Sequence, residues 1–417
     1  MTPHFGLSES ENNQTSVYPE RVPFLRPISQ SWSQFRGPSR NGLIPPQRFS
    51  LDFSKPPALR WVKNCGPGHS SIVTEGELVI TLEQNNQYET LSARSLDNGD
   101  EVWQRVEKTS WNDYFSGEGP RSTPTIVDGK IFALFSNGIL SCVNAKDGNS
   151  LWSIPIVGKE FEFPEWGFAF APLIWNDLII LNPGGDRGAV KAYSKLNGKL
   201  VWESELAGKG VYLSPSIHSF LGEMHLLVAV EGKIASLDPE NGKTRWEMPW
   251  KIFLNDVQIV QPISLSEDSF LIAAGYGKGA ECFKVIRDQE NGSYRIESVW
   301  KSKNLKAKFS NPVLKDGYLY GLSENLLVCL EAETGRLIWR GKKYGYGRIL
   351  ICQERLLILG NTGVLSVVEA SPKKFTEIFS EQLLNRSRCW NGPAIVDGYL
   401  IARNGEQIAC FDTAVSP

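Results

Sequence analysis

Runs of apolar residues alternating with polar ones, each the length of a single strand, follow one another along most of the chain and are cut off by Gly, Asn, Asp or Pro. The stretch "STPTIVDGKIFALFSNGILSCVNAKDGNSLW", Ser122 to Trp152, shows the plan. Asp128-Gly129 and Asn137-Gly138 are hairpin signals, and Asp147-Gly148 turns the chain into the strand that carries Trp152. Four short strands and three turns are predicted there. The same plan recurs from Pro312 through "KDGYLYGLSENLLVCLEAETGRLIW". No long apolar pattern with a helical period is present, so the predicted fold class is all-β.

A second pattern lies over the first. Glycine stands four residues before tryptophan at Gly99/Trp103, Gly148/Trp152, Gly198/Trp202, Gly242/Trp246 and Gly335/Trp339. A further unit, "ENGSYRIESVW", keeps the turn at Gly292 and reaches Trp300 after a longer strand; another ends in Phe379, and Trp61 in "ALRW" has the tryptophan without the turn. From Trp61 to Phe379 the eight markers span 318 residues, about 45 per interval, the size of a four-stranded propeller blade. The last unit, "GPAIVDGYLIARNGEQIACFDTAVSP", stops after three strands, while "PALRW" is a fourth strand without a blade. Pairing the two closes a single eight-bladed β-propeller of four-stranded antiparallel blades and removes an exposed sheet edge. Glycine suits the positive-φ turn position, and each marker aromatic is expected to lie between neighbouring blades. One such side chain buries about 150 to 250 Å², worth roughly 4 to 6 kcal/mol as an upper estimate.

These residues carry a resemblance. A small residue, an acidic residue two positions on, then Asn or Thr, Gly and Trp (Ser236, Asp238, Asn241, Gly242, Trp246; Cys329, Glu331, Thr334, Gly335, Trp339) resembles the tryptophan-docking repeat of pyrroloquinoline-quinone (PQQ) type propellers. That family includes quinoprotein dehydrogenases and the BamB outer-membrane assembly lipoproteins. The resemblance covers about residues 57–412, and the arm "WSQFRGPSRNG", Trp32 to Gly42, resembles the N-terminal lead of bacterial PQQ-like repeat proteins. The expected organisation is an N-terminal arm over 1–56, partly extended or disordered, and a propeller over 57–417. The resemblance implies an exported, periplasmic protein. The opening "MTPHFGLSES" has neither the basic start nor the apolar run of a secretory signal, and on sequence alone the chain reads as cytoplasmic.

The dehydrogenases of this family clamp PQQ beneath two adjacent cysteines, with calcium and an Asp base beside it. Here the cysteines, at 65, 142, 282, 329, 352, 389 and 410, are never adjacent and never form a C-x-x-C pair. Cys142 and Cys329 stand six residues before the turn glycine, where other units have Ala93, Ala192 and Ser236, and Cys410 fits the same slot; packing is the expected role. His4, His69, His218 and His225 match no zinc signature, and no serine sits in a strand-to-helix elbow. Neither catalytic nor metal-binding residues are nominated. Forty-four Lys and Arg against 46 Asp and Glu give a net charge of −2, so nucleic acid is not an expected partner. No apolar stretch is long enough for a membrane-spanning helix.

A binding surface is argued from geometry instead. In a propeller, the loops from each outer strand to the next inner strand converge on the face where the central funnel opens. Here those loops carry His69; Trp111, Tyr114 and Arg121; and Glu165 and Trp166. They continue with Tyr212, Asp256 and Gln258, then Lys308 and Asn311. Tyr346 and Arg348, and Arg388 and Trp390, complete the rim. Aromatic faces beside guanidinium groups suit a partner protein, a glycan or a planar anion. Two readings follow: a non-enzymatic, BamB-like monomeric scaffold that needs no cofactor, or a PQQ- and calcium-dependent oxidoreductase holding the quinone by Lys308, Arg348 and Arg388.

Overall fold

The computed structural model describes residues 28–253 and 257–414. Its strands form eight four-stranded antiparallel sheets, arranged as the blades of a propeller. We number the blades by their inner strands: Val73–Glu75, Thr125–Val127, Leu173–Trp175, Ser216–Phe220, Ile263–Ser264, Val313–Lys315, Arg348–Cys352 and Ala394–Val396. In blades 1 to 7 the chain runs from inner to outer strand in sequence order. Blade 8 is completed by the strand Ala58–Asn64, which pairs antiparallel with Gln407–Asp412 and sets Trp61 opposite Cys410. The predicted closure is therefore the observed one. Among the described residues no helix is long and apolar enough to cross a membrane.

The hydrophobic core lies between blades rather than within one central body. The two middle strands of each blade are largely buried on both faces, as in "LVITLEQN" at Leu78–Asn85, because they are sandwiched by the blades on either side. One cluster joins Val73, Ile80 and Leu91 of blade 1 to Ile126, Ile131 and Val143 of blade 2.

The glycine and tryptophan of the repeat meet across the blade boundary. Trp61 of blade 8 lies against Gly99 of blade 1, Trp103 against Gly148 of blade 2, and Trp202 against Gly242 of blade 4. The indole N–H often adds a hydrogen bond to the same turn region: Trp61 Nε1 donates to Leu96 O at 2.8 Å and Trp103 Nε1 to Ala145 O at 3.0 Å. Trp61, Trp103, Trp202 and Trp246 are buried, whereas Trp152, Trp300, Trp339 and Phe379 are half-buried. Blade 5 departs from the rule. Its last two strands, Gly279–Arg287 and Tyr294–Ser302, carry the turn at Gly292 away from its neighbour, and Trp246 stacks on Phe270 instead, with ring centroids 5.6 Å apart.

The small-residue slot also has a physical reason. Ala93, Cys142, Ala192, Ser236, Cys329 and Cys410 each sit directly across the strand pair from a marker tryptophan, where a larger side chain would displace the ring. None of the seven cysteines is in a disulfide.

The arm threads the middle of the ring. The backbone N–H groups of Ser29 and Gln30 donate to the Asp397 carboxylate of blade 8, at 2.6 and 3.0 Å. Trp32 exchanges hydrogen bonds with Thr74 of blade 1, and Ser33 O accepts from Ile126 N of blade 2. The chain then turns at Arg36 and Gly37, both at positive φ. Arg40 donates to Ala171 O, Pro172 O and Pro215 O just ahead of blades 3 and 4, and Arg36 donates to Pro312 O ahead of blade 6. Leu43 forms a parallel bridge with Ile351 of blade 7. Residues 1–27 of the expected 1–56 arm lie outside the described residues.

Candidate functional site: the funnel and its floor

The arm divides the axial channel. On the face where outer strands hand over to the next inner strands, a cavity of about 550 Å³ opens above Phe35. On the other side of the arm lies a second cavity of about 400 Å³, bordered by Arg40, Trp175 and His218.

Nine of the fifteen side chains expected at the rim line the upper cavity: His69, Arg121, Glu165, Trp166 and Tyr212 from one half, Lys308, Tyr346, Arg348 and Trp390 from the other. Two aromatic stacks form its walls. Trp166 lies on Tyr212 with centroids 5.0 Å apart. Opposite, Trp390 contacts His69 at 5.0 Å and stacks on Phe309 at 5.1 Å. The Lys308 ammonium sits among three rings, 4.5 Å from the Tyr276 centroid, 5.1 Å from Phe309 and 5.2 Å from Tyr346, a cation–π cage.

The remaining expected residues serve other ends. Trp111 packs beside Phe163 and against Gly167, joining two loops to each other. Tyr114 is 95% exposed and stands outside the cavity lining, packed edge to face on Phe115, which borders it. Gln258 is buried, accepting from Trp250 Nε1 at 2.9 Å, and Asn311 is buried, accepting from Gln261 N at 2.7 Å; both brace the loops from within. Arg388 is exposed and lies over the Trp390 ring. Asp256 lies outside the described residues.

Charge at the site is set by burial. Burial, reinforced by the Arg121 charge, pushes His69 down to about 3, so its ring is neutral near pH 7. Its Nε2 faces Ser116 O at 2.9 Å, which makes Nε2 the protonated nitrogen of that neutral ring. Arg121 is consumed by its own loop, donating to Asp113 Oδ2 at 2.5 Å, Ser116 Oγ at 2.8 Å, Gly117 O at 2.7 Å and Gly119 O. Among the described residues, Lys308 and Arg348 are thus the lining cations not spent on their own loop, and Glu165 is the one carboxylate lining the cavity.

Tyr276, Phe309, Phe35 and Phe115 line the cavity without having been expected there. Tyr276 sits on the turn between the second and third strands of blade 5. Such turns share the funnel face with the outer-to-inner loops, a topological fact that would have pointed to it. Among the described residues, no group of three or more His, Cys, Asp or Glu is placed to hold a metal ion.

The architecture and its cross-blade tryptophan docking define a propeller of the PQQ-like class. The chain belongs to the family described as outer membrane protein assembly factor BamB, which matches residues 57–165 and 160–340. BamB of Moranella endobia is 26% identical over 244 residues, 56% of this chain and 57% of that protein. BamB of Yersinia pestis is 22% identical over 272 residues, 62% of this chain and 63% of that protein. The match thus spans less than two thirds of either relative. Among solved structures, BamB from Moraxella catarrhalis superposes with a TM-score of 0.62 at 13% identity, over 86% of this chain and all of that one. A europium-containing methanol dehydrogenase superposes with a TM-score of 0.64 at 12% identity, over 91% of this chain and 90% of that one. At such identities the structural likeness speaks for the fold alone.

Proposed function

We propose that this propeller is a non-enzymatic scaffold of the BamB type, which holds a protein partner at its funnel face during assembly of outer-membrane proteins, on the periplasmic side. The observation that carries the reading is the aromatic tip of the loop between blades 1 and 2. Tyr114 and Phe115 are 95% and 64% exposed and packed edge to face, with Phe115 also bordering the cavity. Exposed aromatic side chains beside an apolar pocket are the residues on which protein interfaces concentrate their energy.

The oxidoreductase reading is less well supported. Calcium takes about six to eight oxygen ligands, and among the described residues the cavity offers one carboxylate, a donor set that gives a quinone–calcium pair little support.

The test is copurification from the native cell with the tagged wild-type chain and a Tyr114→Ala/Phe115→Ala variant. Recovery of outer-membrane assembly proteins with the wild type, and their loss from a variant that melts at the same temperature, is expected. Equal recovery by both chains removes the funnel face from the interface.

A further inference from the structure

Beneath the funnel floor, two arginines border a void of about 20 Å³, Arg36 from the arm and Arg348 from the first residue of blade 7. Ser71 and Asn311 contribute polar side chains to the same void, and Trp32 and Phe35 close its sides. Space of this size holds one water molecule or one small ion.

The charges there are uncompensated. Among the described residues, neither arginine has a carboxylate within ion-pair distance, and the charges that act on Arg36 are those of Arg348 and Arg40, all of one sign. Burial and that repulsion push Arg36 down to about 9, and burial pushes Arg348 down to about 10, so both still carry charge at neutral pH. Arg36 donates to backbone carbonyls, at 2.8 Å to Asn41 O and 2.9 Å to Pro312 O. Arg348 Nε donates to Trp390 O at 2.8 Å, but its buried Nη1 has no partner. Ser71 Oγ accepts from Gly392 N at 2.8 Å, which leaves its hydroxyl hydrogen to donate elsewhere. A water molecule in the void would satisfy Nη1 yet leave two like charges facing low-dielectric surroundings. One negative charge would answer both needs.

We propose that this void is an anion site, taking a single monovalent anionic group between Arg36 and Arg348, with the Ser71 hydroxyl as a further donor. The group comes from one of two sources: a free halide, or the carboxylate of a larger ligand reaching down from the funnel. Arg348, Ser71 and Phe35 border both the void and the upper cavity, so the two spaces adjoin. Because Arg36 rides on the arm, occupancy fastens the arm into the channel. The site does not depend on the partner reading.

Thermal melts of the full chain at constant ionic strength test it, with methanesulfonate, whose three-oxygen head is wider than a chloride ion or a planar carboxylate, replaced stepwise by chloride or by acetate. Crystals soaked in bromide give an independent view through anomalous scattering. A melting temperature that climbs with the logarithm of anion concentration is expected, and this climb should vanish in Arg348→Met and weaken in Arg348→Lys and Ser71→Ala. A chloride response with a bromide peak between the two arginines identifies a free halide. An acetate response without either identifies the carboxylate source. The proposal is overturned if chloride and acetate leave the wild type unmoved and bromide leaves no peak, or if Arg348→Met and Arg348→Lys respond as the wild type does.

Discussion

Gly242 lies flat on the indole of Trp202, one blade back, so closely that a methyl group on its Cα would stand 2.5 Å from the ring. Its φ of +73° is also one that residues with a side chain seldom adopt. Gly242→Ala therefore meets two penalties, backbone strain and a clash with a ring that the blade boundary cannot release. Gly222 has a similar φ of +81° with open space around it, so Gly222→Ala meets the first penalty alone. We expect Gly222→Ala to cost about 1 kcal/mol and Gly242→Ala roughly 2 to 4 kcal/mol in denaturant unfolding. Equal costs would show that the close approach to Trp202 carries no energy.

The closing strand makes a different demand. Ala58–Asn64 covers the edge of Gln407–Asp412, whose backbone groups would otherwise face solvent as a ready template for another chain. A chain beginning at Cys65 should self-associate in size-exclusion chromatography, and a synthetic peptide of residues 57–64 should return it to a monomer. A monomeric truncated chain would mean that the strand contributes little to closure.

The arrangement of blades was legible in the chain because both of its signals are local. Turn residues mark each hairpin, and the spacing of Gly and Trp repeats once per blade, so counting them leads to eight sheets and to the missing strand at Trp61. The partner of each glycine was not legible: Gly99 faces Trp61, not Trp103, and contact across a blade boundary leaves no trace in spacing within a blade. The arm was opaque for a related reason. Its contacts to the blades are a few backbone hydrogen bonds and the Arg36 and Arg40 side chains reaching backbone carbonyls, which impose no period on "SQFRGPSRNG". At the funnel, residue type and loop position named nine of the nineteen residues that line the cavity, but they could not separate a cation offered to a ligand from one spent on its own loop. Lys308 and Arg121 look alike in sequence and differ only in what surrounds them.

Arg121 should accordingly behave as a brace. Its guanidinium ties Asp113, Ser116 and Gly117 into one loop beneath Trp111, 5.9 Å from that ring. Arg121→Met keeps the stem and removes the donors, leaving the Asp113 carboxylate without its charge partner. We expect backbone amides of residues 111–119 to exchange with deuterium about 10-fold faster or more, in line with roughly 1 to 3 kcal/mol of lost local stabilisation. The amides of the blade 1 strands should keep their rates. Uniform acceleration across blade 1 would place Arg121 in the core of the fold instead.

The three described histidines tie stability to pH with a sign that can be worked out. Burial holds His69 at about 3 and His218 and His225 at about 4, all below the ordinary value of 6.5. For His225 the Arg245 charge adds to the lowering while Glu223 and Asp238 oppose it. A base whose folded pKa is depressed is neutral in the native state where the unfolded chain has already taken up a proton. Unfolding then binds protons, so stability is full above about pH 6.5 and falls as pH drops toward 4, by up to about 1.4 kcal/mol per pH unit for each histidine. Carboxylates such as Glu223 and Asp268, held below their usual range by hydrogen bonds and nearby cations, stay ionised between pH 6.5 and 5, whereas burial raises Glu75 and Glu89 and gives them a contribution of opposite sign, so the histidine share is read by removing one imidazole at a time. His218 is held by Ser216 Oγ at 2.8 Å and Ser264 Oγ at 2.7 Å, and neither hydroxyl titrates in this range. Urea unfolding of His218→Gln between pH 7.5 and 5 should therefore show a shallower pH slope than the wild type, by up to about 1.4 kcal/mol per pH unit, whatever its absolute stability. An unchanged slope would mean that His218 is already protonated in the native state, and that burial between blades 4 and 5 does not govern it.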